Sequence, residues 1–217
     1  MSPAQPRHQV PDARSWEYAD GFVAPSPALQ EAREAARADQ WEVLSNGTTA
    51  LLAFLTRTMQ ASSVVTIGTD AGVSALALLE GMSDHGVLTS IDPDAERQAA
   101  ARKVLSLARI RSNQVRLITG TPLDVLPKLR DGAYDMVLIN GDRLEYVEYV
   151  SQALRLLRTG GIVVVNDALA NNHVADPDNE DDDTLIIRET LDSVLETEEF
   201  TPVLLPVGEG LLLATKS

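Results

Sequence analysis

The sequence contains no cysteine. Disulfides, thiolate zinc sites, iron–sulfur clusters and a cysteine nucleophile are therefore excluded. Aromatic residues are scarce, at 4% of the 217 residues. Basic residues are the minority charge: 18 Lys and Arg stand against 32 Asp and Glu, a formal net charge of −14 at pH 7. A chain with that balance does not hold a phosphate backbone by general electrostatics, and it has few rings to stack on bases. Nucleic acid is not an expected partner, and an anionic membrane surface is disfavoured for the same reason. No stretch approaches the ~18 apolar residues of a membrane helix. Met1 to Val10 is polar and proline-containing, without the apolar core of a secretion signal. The expectation is a soluble, cytoplasmic protein.

What is present is a full complement of core material, 44% hydrophobic, in a length suited to one domain. Residues 1–25 carry Pro3, Pro6, Pro11 and Pro25 with scattered Trp16, Tyr18 and Phe22, and are expected to form an irregular N-terminal arm. The domain proper is 26–217. It opens with helices over 28–39 and 47–59, the second packing through Leu51, Phe54, Leu55 and Thr58. The period then switches to short apolar runs: 64–67, 87–91, 114–119, 134–139 and 162–165 read as buried strands. Helices over 72–82, 94–108, 121–130 and 143–158 separate them, the last with Leu144, Val147, Val150, Leu154 and Leu157 on one face. Repeated βαβ units of this kind give a parallel sheet covered on both faces. An acidic loop at 176–183 leads into a helix over 184–197, its face marked by Ile187, Leu191, Val194 and Leu195. Strands at 200–205 and 211–215, joined by a five-residue loop, make an antiparallel pair.

The first strand ends in Gly68-Thr69-Asp70-Ala71-Gly72, directly before a helix. Glycines there let the backbone turn sharply and approach a ligand. The dinucleotide fingerprint needs a glycine where Asp70 stands, and a pyrophosphate would meet its carboxylate. The second strand ends in Asp92, 24 positions after Gly68, where an acid can accept both hydroxyls of a ribose. Together these describe an adenosine crevice without a phosphate site, as S-adenosyl-L-methionine (SAM) requires. The plain alternative is a tight turn followed by a helix-capping Asp.

With these residues in place, the chain resembles the catechol/caffeoyl-CoA O-methyltransferase-like family of class I SAM-dependent methyltransferases. VVTIGTDAGVSALALLEGM looks like its first motif and SIDPDAERQAAAR its second. GTPLDVLPKLRDGAYDMVLINGDRLEYVEYVSQALRLLRTGGIVVVNDAL looks like the block that follows, and the likeness spans about 40–215. It implies an α/β, Rossmann-like seven-stranded sheet: five parallel strands plus a C-terminal antiparallel pair, with helices on both faces. It also implies a small-molecule acceptor and a homodimer. By the resemblance, Gly68, Thr69, Gly72 and Ser74 face the methionine part of SAM, and Asp92 holds the ribose. Gly120, Thr121 and Pro122 border the adenine, and Ser45 lies over the cofactor.

The departures from the family carry more information. Its metal site uses an Asp after the fourth strand and an Asp-Asn pair after the fifth; here Asn140, Asp167 and Ala168 stand at those places. Its acidic residue two before the first glycine is Thr66, and its lysine base is Arg143. Mg²⁺ prefers charged oxygens, so metal binding is expected to be weak or absent. Asn166 is expected to point to the opposite face from Asp167. A guanidinium cannot accept a proton, so Asn140 and Arg143 are expected to meet substrate or cofactor by hydrogen bonds. His173 is either a substitute base or a solvated loop histidine. The acid run Asp176–Asp183 lacks the glycine and glutamate of a calcium loop and reads as a solvated, helix-capping segment that repels anions. Tyr146 either reaches the acceptor or covers the helix–sheet seam. Trp16, Tyr18 and Phe22 close over the pocket, pack across a dimer or pack on their own domain. Three functions follow: a metal-independent O-methyltransferase, a degenerate SAM-binding or interaction protein without activity, and a dinucleotide-dependent oxidoreductase, which Asp70 disfavours.

Overall fold

The computed structural model describes residues 10–217. The first nine residues of the expected arm, His8 among them, lie outside the described part. The rest of the arm is not irregular as expected. Residues Ala13–Asp20 form a helix, α1, whose N-terminus is capped by Asp12 accepting from the Ser15 amide at 2.9 Å. Then come α2 (Pro27–Ala38) and α3 (Asn46–Thr58), capped by Ser26 and Ser45.

Five βα steps follow. Strand β1 (Ser63–Ile67) leads to α4 (Val73–Gly81), β2 (Val87–Asp92) to α5 (Ala95–Leu107), and β3 (Val115–Thr119) to the short α6 (Pro122–Val125). Strand β4 (Tyr134–Ile139) precedes α7 (Tyr146–Leu156), and β5 (Leu157–Asn166) precedes α8 (Asp182–Glu196). The chain ends in the hairpin β6 (Phe200–Leu205) and β7 (Leu211–Lys216). The seven strands lie in the order β3-β2-β1-β4-β5-β7-β6. β1 pairs in parallel with β2 and β4, while β7 is antiparallel to both β5 and β6. β7 is thus the one strand that runs against the others.

Both faces of the sheet are buried, because successive strand side chains alternate between two apolar clusters. Val65, Ile67, Val137, Ile139, Val163 and Val165 pack with Tyr146, Tyr149, Val150 and Leu156 of α7 and with Ile187 and Val194 of α8. Val64, Met136, Leu138 and Val164 pack with Leu52 of α3, Leu76 and Leu78 of α4, and Leu105 of α5. Each such fully buried aliphatic side chain contributes about 1.5–3 kcal/mol. Among the described residues no helix is long and apolar enough to cross a membrane.

Three expected helix faces are rotated. On α3, Phe54 is 65% exposed, and Thr48, Thr49, Leu52 and Thr56 are buried instead. α3 lies so close to α4 that only short side chains fit: a Cβ on Gly81 would stand 2.0 Å from Thr56 Oγ1. The Thr56 hydroxyl is satisfied by donating to the Leu52 carbonyl at 2.9 Å and lies 3.1 Å from that of Leu78. On α7 the buried side is Tyr146, Tyr149, Val150, Ala153 and Leu156, with Leu144 in the exposed turn before it. On α8 the buried residues are Thr184, Ile187, Thr190 and Val194, and Leu195 faces solvent.

Candidate active site

The strand order reverses between β1 and β4, and the crevice outside the carboxyl ends of such strands is where α/β sheets bind ligands. A cavity of about 410 Å³ lies there. Its walls come from the segment before α3 (Glu42, Leu44), the β1 loop (Asp70) and Arg97 of α5. The β4 loop adds Asn140 to Arg143, the end of β5 adds Asn166 and Asp167, and the hairpin adds Glu209.

The Gly68–Gly72 loop is built for close approach. Gly68 and Gly72 have φ of +86° and +95°, and a Cβ on Gly68 would meet the Asn140 carbonyl oxygen at 2.0 Å. Asp70 and Ala71 between them also take left-handed φ, at 51° and 48°. Non-glycine residues held there cost about 1–2 kcal/mol each. The turn is fixed from outside: Asp92 Oδ2 accepts from the Thr69 amide at 2.7 Å, and Oδ1 accepts from the Asp94 amide at 2.8 Å. Thr69 and Ser74 are buried, and their hydroxyls reach Ser90 Oγ at 3.0 Å and the Thr69 carbonyl at 3.4 Å. Asp70 turns inward, where its Oδ2 accepts from the Ser74 amide at 3.1 Å. Burial pushes its carboxyl up to about 7, against the opposing pull of the Leu44 amide and Arg33.

At the ends of β4 and β5, Asn140 Oδ1 accepts from Asn166 Nδ2 at 2.9 Å. Asn166 therefore does not face away, as strand alternation implied; it lines the same cavity as Asp167. The reason is that Asp167 has left the strand and takes φ 57°, so the period of two ends at Asn166. Arg143 pairs with Asp167 and, at 3.0 Å, with Asp183 at the start of α8. Burial raises the Asp167 carboxyl, and Arg143 opposes that rise. The Asn140 carbonyl and the Asp167 carboxylate are thus already turned to an amide and a guanidinium.

Of the residues singled out from the sequence, Asn140 and Arg143 line this cavity, and Gly68, Thr69, Gly72, Ser74 and Asp92 build the loop beside it. Gly120, Thr121 and Pro122 form the β3–α6 turn, where the Gly120 amide donates to the Asp92 carbonyl at 3.0 Å. Ser45 is elsewhere: its hydroxyl caps α3 and donates to Asp20 Oδ1 of α1 at 2.7 Å. His173 lies in an outer groove that shares Arg143, Asn171 and Asp183 with the cavity, with Nδ1 3.9 Å from Asp181. Tyr146 both seals the helix–sheet seam and reaches the cavity wall. The acidic segment is tied down by Arg188, which donates to the carbonyls of His173 at 3.1 Å and Asn179 at 2.8 Å. Sequence reasoning missed Glu42 and Glu209, which lie in segments without a strand-end motif, and Arg97, which lies within the second motif but one turn into α5.

Beside the cavity runs a larger groove of about 740 Å³, walled by Trp16 of α1, Leu51 of α3, Leu169, and Leu205, Pro206 and Val207 of the hairpin. Its charged lining residues are Glu17, Asp20 and Glu209.

The comparisons with known proteins agree with this architecture. A Mycobacterium tuberculosis protein named as an O-methyltransferase is 37% identical over 201 residues, covering 93% of this chain and 90% of its own. The crystal structure of a Corynebacterium glutamicum protein superposes with a TM-score of 0.86 at 30% identity, over 92% of this chain and 94% of that one. The O-methyltransferase TomG from Streptomyces achromogenes, solved with SAM and involved in tomaymycin synthesis, gives 0.85 at 26% identity, over 96% and 100%. The sequence profile of the O-methyltransferase family matches residues 22–217, which takes in every strand of the sheet and every wall of the cavity. By that match and those identities, the chain belongs to the O-methyltransferase family.

Proposed function

We propose that this chain transfers the methyl group of SAM to an oxygen of a small molecule, without a divalent metal, as a homodimer in the cytoplasm. The residues suit SAM. The cavity carries the acids Glu42, Asp70, Asp142, Asp167, Asp183 and Glu209 against Arg97 and Arg143. Such a lining favours a sulfonium and an ammonium group and opposes a pyrophosphate. In this reading Gly68, Thr69, Gly72 and Ser74 hold the methionine part, Asp92 the ribose, and Gly120, Thr121 and Pro122 the adenine. Ser45, engaged as the α3 cap, is left out of the set.

The observation that carries metal independence is the Arg143 guanidinium paired with Asp167 and Asp183. A divalent ion would have to displace it, and Asn140 and Asp167 would be its only oxygens from the family's three places. With Ala168 contributing none, the donor set does not fit Mg²⁺. The chemistry then rests on the chain itself. Bound SAM supplies an electrophilic methyl. Asn140 and Arg143 orient the acceptor oxygen by hydrogen bonds, and Arg143 opposes the negative charge that gathers there. Calorimetric titration tests the first step: SAM is expected to bind and NAD not to bind. NAD binding without SAM binding overturns the assignment.

A further inference from the structure

Among the described residues, Glu209 alone lines both the cavity at the strand ends and the groove between α1, α3 and the hairpin. Its place is fixed by backbone: the Leu169 amide donates to the Glu209 carbonyl at 3.1 Å, and the Ala168 amide to the Gly210 carbonyl at 2.9 Å. The hairpin tip is thereby clamped to the loop that follows β5. A Cβ on Gly210 would stand 2.4 Å from Leu169 Cγ, so the clamp leaves no slack.

Four of the other five acids of the cavity are committed. Asp167 and Asp183 hold Arg143. Asp142 accepts from the Leu144 amide at 3.0 Å, and Asp70 from the Ser74 amide. Glu42 lines the cavity but not the groove, and His173 lies outside both. The groove has apolar walls, and its charged residues are all acidic. Asp20 is itself engaged, accepting from Ser45 Oγ at 2.7 Å and from the Gly47 amide at 2.8 Å.

We propose that the groove binds an uncharged, apolar hydroxyl compound and that Glu209 is the catalytic residue that takes its proton. The proposal rests on the methyltransferase reading above. The acceptor O–H bond breaks, and its proton passes to the Glu209 carboxylate. The oxygen lone pair forms the new O–CH₃ bond as the methyl–sulfur bond breaks. That bond pair stays on sulfur, which leaves as the neutral thioether. No oxidant, metal or further reactant is needed. The surroundings favour a basic carboxylate. Burial, with Asp167 and Glu42 nearby, holds Glu209 above the usual carboxylate range, while Asn166 and Arg143 pull it down. Glu209 also lines a third groove, shared with Asp20 of α1 and with Arg33 and Arg37 of α2. An anionic acceptor would meet Glu17, Asp20 and Glu209 with no basic residue in the groove to offset them.

The test uses the full chain with p-cresol and with p-hydroxybenzoate, which carries the same phenol with a carboxylate in place of the methyl group. Binding of each to the protein loaded with S-adenosylhomocysteine is measured by calorimetry, and methyl transfer by label from SAM. The expected result is binding and transfer with p-cresol at least tenfold better than with p-hydroxybenzoate. Glu209→Gln is expected to lower kcat by roughly 10²–10⁴-fold, measured at saturating SAM. Glu209→Asp is expected to recover part of the loss. Failure of p-cresol to bind, a preference for p-hydroxybenzoate, binding without transfer, or an unchanged kcat in Glu209→Gln overturns the proposal. Failure of SAM itself to bind overturns instead the reading beneath it.

Discussion

At the scale of single residues, the site stores its tension in Asp70. Its carboxyl is buried beside the glycine loop and pushed up to about 7, far above its value of 3.8 in an unfolded chain. The sign follows directly. Below 3.8 both states are protonated; between 3.8 and about 7 the unfolded chain loses the proton and the folded chain keeps it. Stability is therefore full at low pH and falls as pH rises through that window, by about 3–5 kcal/mol from this group. Asp70→Asn is expected to match the parent near pH 4 and to exceed it at pH 8 by a similar amount, read from urea denaturation at the two pH values. A variant no more stable than the parent at pH 8 refutes the assignment. Asp70 also shows where sequence reading ran out. The missing glycine disfavoured a pyrophosphate, but nothing in the motif said that the carboxylate would turn inward against the Ser74 amide. Asn166 was misjudged for a related reason: strand alternation holds only while the strand lasts, and Asp167 breaks it with a left-handed φ.

At the scale of elements, part of every strand was legible, because runs such as Val64 to Ile67 and Ile162 to Val165 are largely apolar whichever face they present, but β5 begins at Leu157, which helical spacing assigns to the preceding helix. The helix faces were not, because the buried sides of α3 and α8 carry at least as many threonines as aliphatic residues. Thr49, Thr56 and Thr190 are admissible because their hydroxyls donate to carbonyls one turn back, as Thr190 does to Ile186 at 2.8 Å. Helix α1 was hidden by the prolines around it and by the absence of any buried residue within it. What attaches it is polar. Asp20 Oδ1 accepts from Ser45 Oγ and the Gly47 amide, so the end of α1 caps the start of α3 from outside. Asp20→Ala is expected to cost about 1–2 kcal/mol in thermal unfolding. It is also expected to raise the KM for the acceptor, since Trp16 of α1 forms part of the groove wall. The SAM affinity should hold. A loss of SAM binding as large as the loss of acceptor binding would contradict this division of labour.

At the scale of the whole molecule, the exposed aromatic residues among those described all lie before the sheet, while exposed aliphatic residues such as Leu107, Leu195 and Val203 are spread over other elements. Tyr18 and Phe22, their rings 6.2 Å apart, are exposed beside α1, and Phe54 is exposed on α3. A surface of that kind is expected to pair with a second copy, and light scattering at micromolar concentration should report twice the 23.4 kDa chain mass. A monomer contradicts it. The order of motifs along the chain was enough to place the sheet and the crevice. It did not reveal that the hairpin returns Glu209 to the strand ends, since that contact joins segments about 40 residues apart through backbone hydrogen bonds alone. The claim on which the account turns is that Arg143 stands against Asp167 where relatives are expected to hold a metal. The most direct measurement is methyl transfer from SAM to p-cresol, followed by label, in excess EDTA and again with millimolar Mg²⁺. The same rate is expected in both. Transfer abolished by EDTA and restored by Mg²⁺ would contradict it.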